Sequence, residues 1–298
     1  MKHYEEDMLK NEIEDLVKLA YRDLLGREPE KKGLTYYVDL LSCGYDYKSF
    51  LLDIINSEEF KNKFKPDPKK FQQDEDIYSD KIFVDIYDLC REFTMTSIYN
   101  MYALFNIIRY VVARKIPGDF VECGVWRGGS AMLAAMALLK LGDNRRKIYL
   151  YDTYEGMSRP GVNDIRHDGA SAEPIWLESQ TGDRSTWALA SIEEVTYNMK
   201  TTSYPMDKVV FVKGKVEDTL PFVMPDRIAV LRLDTDWYES TLHELTTLFP
   251  LVQKGGVLII DDFGWWKGCR RAVDEYFADK PILLTRICVS GARVGVKL

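Results

Sequence analysis

The 298-residue chain has no stretch approaching the roughly 20 consecutive apolar residues that a membrane-spanning helix requires. It has no basic surplus either. Lys and Arg number 40 against 47 Asp and Glu, a net charge of −7, so nothing is in excess to neutralise nucleic-acid phosphates. Two short basic stretches, Lys61 to Lys70 and Arg145-Arg146-Lys147, read as solvated faces. Cysteine is scarce and unpatterned. The five thiols (Cys43, Cys90, Cys123, Cys269, Cys288) are odd in number, scattered and without CxxC spacing. That argues against a disulfide framework or a zinc site and fits reduced thiols in the cytoplasm. Met1 to Lys10 is charged and lacks the apolar core of a secretory signal. Internal repeats and low-complexity segments are missing too. The remainder is ordinary for a globular protein, 46% hydrophobic and 29% charged, with length for one large domain plus a smaller one. A soluble cytoplasmic protein is expected.

The first sixty-five residues read as helical. Ile13, Leu16, Val17, Ala20, Tyr21 and Leu24 recur at three- and four-residue steps, which places them on one helix face. Gly26 ends that helix, Gly33 to Leu41 forms a second, and Lys48 to Phe60 a third. Lys61 to Asp76 is polar and holds Pro66 and Pro68, the composition of a linker. Ile77 to Phe93 and Ser97 to Lys115 read as two further helices, with Thr96 or Ser97 capping the second. From Asp119 strands alternate with helices. The strands are Phe120 to Cys123, Lys147 to Tyr151, Lys208 to Lys213, Ile228 to Leu233 and Val257 to Ile260. Such alternation predicts an α/β fold with a mostly parallel sheet covered on both faces. The tail, Leu283 to Val289 and Ala292 to Leu298, reads as two strands joined by a tight turn at Ser290-Gly291. A parallel sheet closed by an antiparallel hairpin is the pattern of nucleotide-dependent methyltransferases.

The chemistry gathers where strands end. Val121-Glu122-Cys123-Gly124-Val125-Trp126-Arg127-Gly128-Gly129-Ser130 joins the first strand to a helix N-terminus, and its glycines let the backbone approach a ligand. The spacing departs from GxGxxG, so a dinucleotide site is poorly supported, and a tight turn without ligand is the plainer alternative. Asp152 ends the second strand, where a carboxylate can accept from both ribose hydroxyls or serve as an N-cap for the next segment. Lys213-Gly214-Lys215-Val216-Glu217-Asp218 would border an adenine or be an ordinary loop. Two apolar strands then end in carboxylates, at Asp234-Thr235-Asp236 and at Asp261-Asp262. Four carboxylates at one sheet edge repel one another unless a cation or a proton shares the site. A hard divalent metal such as Mg²⁺ meets that need through oxygen ligands.

Several motifs in the same order resemble one family. Thr94-Met95-Thr96-Ser97, the Pro117 to Ser130 run and Tyr151-Asp152-Thr153-Tyr154-Glu155-Gly156-Met157 look like the macrocin O-methyltransferase (TylF/MycF/NovP-like) family. So do Leu233 to Thr241, Lys254 to Phe263 and Trp266 to Glu275. The resemblance spans residues 94–298 and implies a Rossmann-like class I methyltransferase domain. It implies S-adenosylmethionine and a divalent cation, usually Mg²⁺, used to methylate a hydroxyl on a sugar or sugar-derived acceptor. Carried onto this chain, Asp234, Asp261 and Asp262 are metal ligands and Asp236 the general base. Met95, Glu122, Gly124, Arg127, Gly128, Ser130, Asp152, Lys215 and Val216 are the cofactor-binding residues. Relatives assemble as homo-oligomers, so a homo-oligomer is implied here as well. One departure is Thr235, where relatives often carry glycine; its side chain would narrow the acceptor pocket or re-aim Asp236. The first sixty-five residues resemble a small helical module of unknown function that recurs in bacterial proteins, often beside glycan-modifying domains. The expected division is therefore a helical module over 1–65, a linker and connecting helix over 66–93, and the methyltransferase domain over 94–298.

An alcohol is a poor nucleophile, and a carboxylate with a pKa of about 4 does not hold its proton at neutral pH. A metal that stabilises the developing alkoxide removes that obstacle. His167 and His243 compete with Asp236 for the role of base. His243 reads as a helix-surface residue, and His167 lies in a polar insert from Ser158 to Pro205 that is expected to act as a lid or a loop over the substrate. Trp176 and Trp187 in that insert stack on a sugar or anchor the insert; Trp237, Trp265 and Trp266 wall the pocket or simply pack. Two other classes share parts of the pattern. A haloacid-dehalogenase-like phosphatase also uses DxD and a later acidic pair, but needs the first motif on the opening strand. A non-catalytic glycan-associated scaffold would keep the fold while losing the site, and the complete acidic set argues against that.

Overall fold

The computed structural model describes residues 2–63, 74–182, 184–288 and 291–298, with side chains from residue 10 onward. The chain forms two compact units, residues 1–75 and 76–298.

In the smaller unit, α1 (Lys2–Ala20) widens into a π-helical turn, Tyr21–Leu25, closed by Gly26 in the left-handed region at φ +68°. That region favours glycine because a Cβ would crowd the backbone there. Next come α2 (Lys31–Ser42), α3 (Tyr47–Asn56) and α4 (Glu58–Lys63). The second helix therefore starts two residues before Gly33. The single helix expected from Lys48 to Phe60 is two helices. Ser57 adopts extended backbone, and its hydroxyl accepts from the Phe60 amide, starting α4. Val17, Val38, Phe50 and Ile54 form the buried centre, and Arg27 fastens the turn to α4 with two bonds to Glu59. Most of the polar stretch expected as a linker, 64–73, lies outside the described residues.

The larger unit begins with α5 (Glu75–Ser79), α6 (Lys81–Cys90) and α7 (Ile98–Ala113). Asp80 accepts from the Phe83 amide and separates the first two, where one helix was expected; Ser97 caps the third. Phe83, Ile86 and Cys90 are buried in the main core, so the stretch over 81–90 is packed structure. The strands are β1 (Asp119–Cys123), β2 (Ile148–Asp152), β3 (Val209–Lys213), β4 (Ile228–Leu233), β5 (Val252–Ile260), β6 (Thr285–Arg286) and β7 (Arg293–Val296). They form one sheet in the order β3-β2-β1-β4-β5-β7-β6, parallel except for β7 and β6. This is the mixed α/β sheet expected, with an antiparallel hairpin at its edge; residues 289–290, the end of one expected strand and the start of the expected turn, lie outside the described residues.

Strand side chains alternate faces. Phe120, Leu150, Val230 and Ile259 meet α6, α7 and α8 (Gly129–Lys140). Val121, Tyr151, Leu231 and Leu258 meet the opposite layer with α12 (Tyr238–Leu248) and α13 (Lys267–Tyr276). Between β2 and β3 lie α9 (Glu173–Glu178), a hairpin of Gln180–Thr181 with Arg184–Ser185, and α10 (Ile192–Thr201); α11 (Val216–Thr219) follows β3. The insert expected as an irregular lid thus includes a packed helix: Val195, Asn198 and Met199 of α10 are buried.

Candidate active site

Strand register assembles the site. Cys123 lies level with Tyr151 and with Leu233, and Leu233 level with Ile260. The next residues along each strand, Gly124, Asp152, Asp234 and Asp261, therefore share one edge of the sheet, around a cavity of about 430 Å³. This is the edge where parallel α/β sheets bind ligands.

At one end of the cavity the turn after β1 crosses the turn after β4. Gly124 sits at φ +81°, and a Cβ there would lie 2.0 Å from the Asp234 carbonyl oxygen. Asp152 lines the cavity, yet its carboxylate already accepts from three amides, Val125 (2.7 Å), Trp126 (3.1 Å) and Tyr154 (2.7 Å). It ties the glycine turn to β2 rather than capping a helix. The Thr153 hydroxyl lies 3.4 Å from the same carboxylate but makes its short bond to the Gly156 carbonyl (2.6 Å), so of the four acceptor sites on the two oxygens one remains for a ligand hydroxyl. Burial raises the Asp152 pKa against the pull of these amides. Met95, Ser130, Lys215 and Val216 also line the cavity.

Glu122 lies beneath this floor, fully buried. Its Oε1 accepts from the Ser130 hydroxyl (2.5 Å) and from Arg232 (2.7 Å), while Oε2 is buried with no partner. Two expected binding residues face elsewhere. Arg127 donates to Glu194 (2.6 Å) and to the Glu92 carbonyl, and its guanidinium covers the Phe93 ring. Gly128 holds φ +89° at the start of α8, where a Cβ would meet Val195. The turn reverses direction between Trp126 and Gly129, which aims both residues toward α10 rather than the cavity. Arg127 thereby anchors α10 to the glycine turn.

The other end of the cavity is acidic. Carboxylate oxygens of Asp234, Asp261 and Asp262 lie within 4.8 Å of one another. A residue the sequence reading passed over supplies the first counter-charge. Arg232 sits in β4 directly opposite Glu122, almost fully buried, and reaches Asp234 Oδ2 (2.7 Å), Asp261 Oδ1 (3.1 Å) and the Thr96 hydroxyl (3.0 Å). An arginine inside an otherwise apolar strand was the available signal, since buried guanidinium groups are rare unless paired. Burial works against its charge, but Asp234, Asp261 and Glu122 outweigh that and hold it protonated.

One guanidinium does not balance five carboxylates. Burial raises the pKa of Asp234 and Asp262 well above the ordinary carboxylate value, with mutual repulsion adding to it. Asp236 is pushed up to about 7 by burial and by Asp234, against bonds from Asp262 and Trp266. Its backbone amide donates to Asp262 Oδ2 (3.2 Å) and its Oδ1 accepts from the Trp266 indole (2.5 Å). An all-oxygen donor set in which Arg232 leaves one oxygen of Asp234 and of Asp261 open suits a hard divalent cation.

Aromatic groups wall this end. Trp237 packs edge to face with Trp187 and with Trp266 (centroids 5.7 and 5.0 Å), Trp187 and Trp266 lie tilted at 6.1 Å, and Trp265 is half exposed at the cavity rim. Trp187 packs on the core, which anchors the insert, and also lines the cavity. Trp176 anchors, donating to the Met157 carbonyl (2.9 Å). The insert is stitched to the acidic loops: His167 and Lys267 amides bond across to Trp265 and Ile165. Asp164, also unanticipated, is buried and accepts from the Tyr238 amide at the start of α12 (2.8 Å). His167 packs on Trp265 and is not among the cavity-lining residues. His243 is half-buried with Nε2 inaccessible, not a surface residue. Neither histidine reaches the acidic cluster, which leaves Asp236 as the candidate base. Thr235 lines the cavity too, but its hydroxyl points back into the protein, toward Ser240 and Glu244.

Comparison with known proteins places this geometry. The macrocin O-methyltransferase family model matches residues 57–289, and a domain of unknown function (DUF4214) matches residues 2–64. The chain is 36% identical over 183 residues to the 8-demethyl-8-(2,3-dimethoxy-alpha-L-rhamnosyl)-tetracenomycin-C 4'-O-methyltransferase of Streptomyces olivaceus, covering 61% of this chain and 67% of that protein. It is 33% identical over 184 residues to the mycinamicin III 3''-O-methyltransferase of Micromonospora griseorubida, covering 61% and 69%. Among solved structures, the O-methyltransferase NovP superposes with a TM-score of 0.60 at 33% identity, covering 69% of this chain and 82% of that one.

Proposed function

Because this chain belongs to the macrocin O-methyltransferase family, we propose that it moves the methyl group of S-adenosylmethionine to a hydroxyl of a sugar or sugar-bearing acceptor. We assign a divalent cation, Mg²⁺ first, to Asp234, Asp261 and Asp262, and the donor to the cavity between Met95, Gly124, Ser130, Asp152 and Lys215. The relatives named above are, by their names, O-methyltransferases of a rhamnosyl-tetracenomycin C and of mycinamicin III, and the rhamnosyl group of the first favours a saccharide acceptor. Residues 94–298 would be the catalytic domain and 1–65 an accessory module.

The observation that carries this reading is the convergence of both acidic strand ends and the glycine turn on one cavity. Bound there, the donor would supply an electrophilic methyl group and the cation a Lewis acid that eases loss of the acceptor's proton. The chain's own residues do the rest. The Asp236 carboxyl, pushed up to about 7 by burial and by Asp234 before any cation binds, would take the proton of the acceptor hydroxyl. Trp266 fixes one oxygen of that carboxylate. Glu122, buried under the glycine turn, accepts from the Ser130 hydroxyl and so braces a residue that lines the donor cavity. The tryptophan wall excludes bulk water, which strengthens each of these electrostatic contacts.

The test is calorimetric titration with S-adenosylmethionine, with and without Mg²⁺, followed by mass spectrometry of rhamnosides and surface glycans incubated with methyl-labelled donor. Binding and a labelled sugar are expected. Silent titrations in both conditions would overturn the proposal and favour a scaffold.

A further inference from the structure

Asp236 holds a left-handed backbone at φ +69°, a conformation that is strained for an L-residue and persists only where surroundings enforce it. Part of the enforcement is visible at the residue itself: its amide donates to Asp262 and its side chain is met by Trp266. The other part comes from behind. The Thr235 hydroxyl donates to Glu244 Oε1 (2.9 Å) and lies 2.8 Å from the Ser240 hydroxyl, which itself donates to the Trp237 carbonyl (3.2 Å). Ser240 and Glu244 are four residues apart on α12 and so share one face, turned toward the DTD turn that precedes the helix.

Glu244 is an odd residue to place there. It is fully buried, its Oε2 has no partner, and it takes no part in lining the cavity. Burial raises its pKa well above the ordinary carboxyl value, and Cys123 at the end of β1 is a neighbour. A leucine would fill the same space without stranding a polar oxygen. Such a group is retained where its position does something. The one strained backbone it reaches is the Asp234-Thr235-Asp236 turn.

The geometry points to Glu244 and Thr235 as positioning residues: the buried carboxyl grips the Thr235 hydroxyl from behind, and this holds Asp236 in its left-handed pose against Trp266. Although Thr235 lines the cavity, its hydroxyl turns away from it and holds Asp236 in place rather than moving it off target. It pins the turn. This inference rests on Asp236 mattering to the reaction, but its geometry is separately measurable.

The Trp266 indole N–H reports directly on the Asp236 carboxylate. In ¹⁵N-labelled full-length protein its cross-peak is identified by Trp266→Phe, and its shift without the bond is set by Asp236→Ala. Thr235→Ala and the double variant Thr235→Val/Glu244→Leu should move the peak through most of the displacement that Asp236→Ala causes. Thr235→Ser and Glu244→Gln, which keep the hydroxyl and the acceptor oxygen, should leave it in place. The other indole peaks verify the fold, and the double variant strands no buried carboxyl, so it keeps the test open if Thr235→Ala is unstable. An unmoved Trp266 peak in either hydroxyl-free variant overturns the inference and reduces Glu244 to packing. Methyl transfer surviving in Asp236→Asn would instead sink the assignment of the base and leave this result untouched.

Discussion

Arg232→Met is the most revealing perturbation outside the reacting groups. It removes the guanidinium while keeping roughly its length and apolar stem. Of the three carboxylates it serves, Asp234 and Asp261 are 27% and 19% exposed and can recruit water in its place. Glu122 cannot. At 0% exposure it would keep only the Ser130 hydroxyl, on one oxygen. The loss therefore falls mainly on Glu122, and breaking a buried pair from one side costs about 3–5 kcal/mol. The sign with pH is fixed by the direction of the shift. Burial already raises the Glu122 pKa with Arg232 present, and raises it further without. A group whose folded pKa lies above its unfolded value favours the folded state below the unfolded pKa and loses that contribution as pH rises through the folded pKa. The variant's deficit should thus be small in mild acid, where Glu122 is neutral, and grow as pH rises above the ordinary carboxylate range. Urea unfolding of chelator-treated protein across pH measures it. Mg²⁺ at a hundredfold excess over its Kd should stabilise variant and wild type alike by about 2.7 kcal/mol, leaving the deficit in place, because the unpaired charge is on Glu122 and not on the proposed metal ligands. Stability within about 1 kcal/mol of wild type at every pH would refute the reasoning, because no buried charge would then have been left unpaired.

Asp236→Asn should lower methyl transfer about 10²–10⁴-fold, the range for loss of a general base, and retained turnover would reassign the proton acceptor. Asp234→Ala should abolish transfer and, unlike Asp236→Asn, flatten the response to added Mg²⁺ in a calorimetric titration. Gly124→Ala forces a Cβ to within 2.0 Å of the Asp234 carbonyl in a left-handed backbone, so its cost should sit at the upper end of the about 0.5–3 kcal/mol typical of single substitutions, read by thermal unfolding. Because Asp236 is pushed up to about 7 and Asp262 is raised as well, the metal-free cluster holds protons near neutrality. Mg²⁺ competes with those protons, so its affinity should fall as pH drops below about 7, with protons released on binding; equal heats in buffers of different ionisation enthalpy would count against this.

Much of the site was legible before any coordinates. Apolar runs such as Ile228 to Leu233 are short, rich in branched side chains and buried along their whole length, as a central parallel strand is, and the acidic residues directly after them sit at a strand end. The glycine turn at Gly124 and the tail hairpin follow from local backbone chemistry in the same way. Helix breaks at Ser57 and Asp80 were missed because a cap inside a helix-compatible run is decided by one hydrogen bond, not by periodicity. Arg127 and Gly128 were assigned to the cavity because sequence adjacency to Gly124 says nothing about the direction a side chain takes after a turn.

What the sequence by itself determined is the order and type of elements and the carboxylates at their ends, since these depend on contacts between near neighbours in the chain. The tertiary structure alone decided which distant groups meet: Arg232 against Glu122, Trp266 against Asp236, Asp164 from the insert under α12, and Glu244 behind Thr235. These partners are 9 to 110 residues apart, and their pairing is set by strand register and by how helices lie on the sheet. Register is a property of the packed whole, because shifting one strand by a residue would turn every side chain on it to the other face.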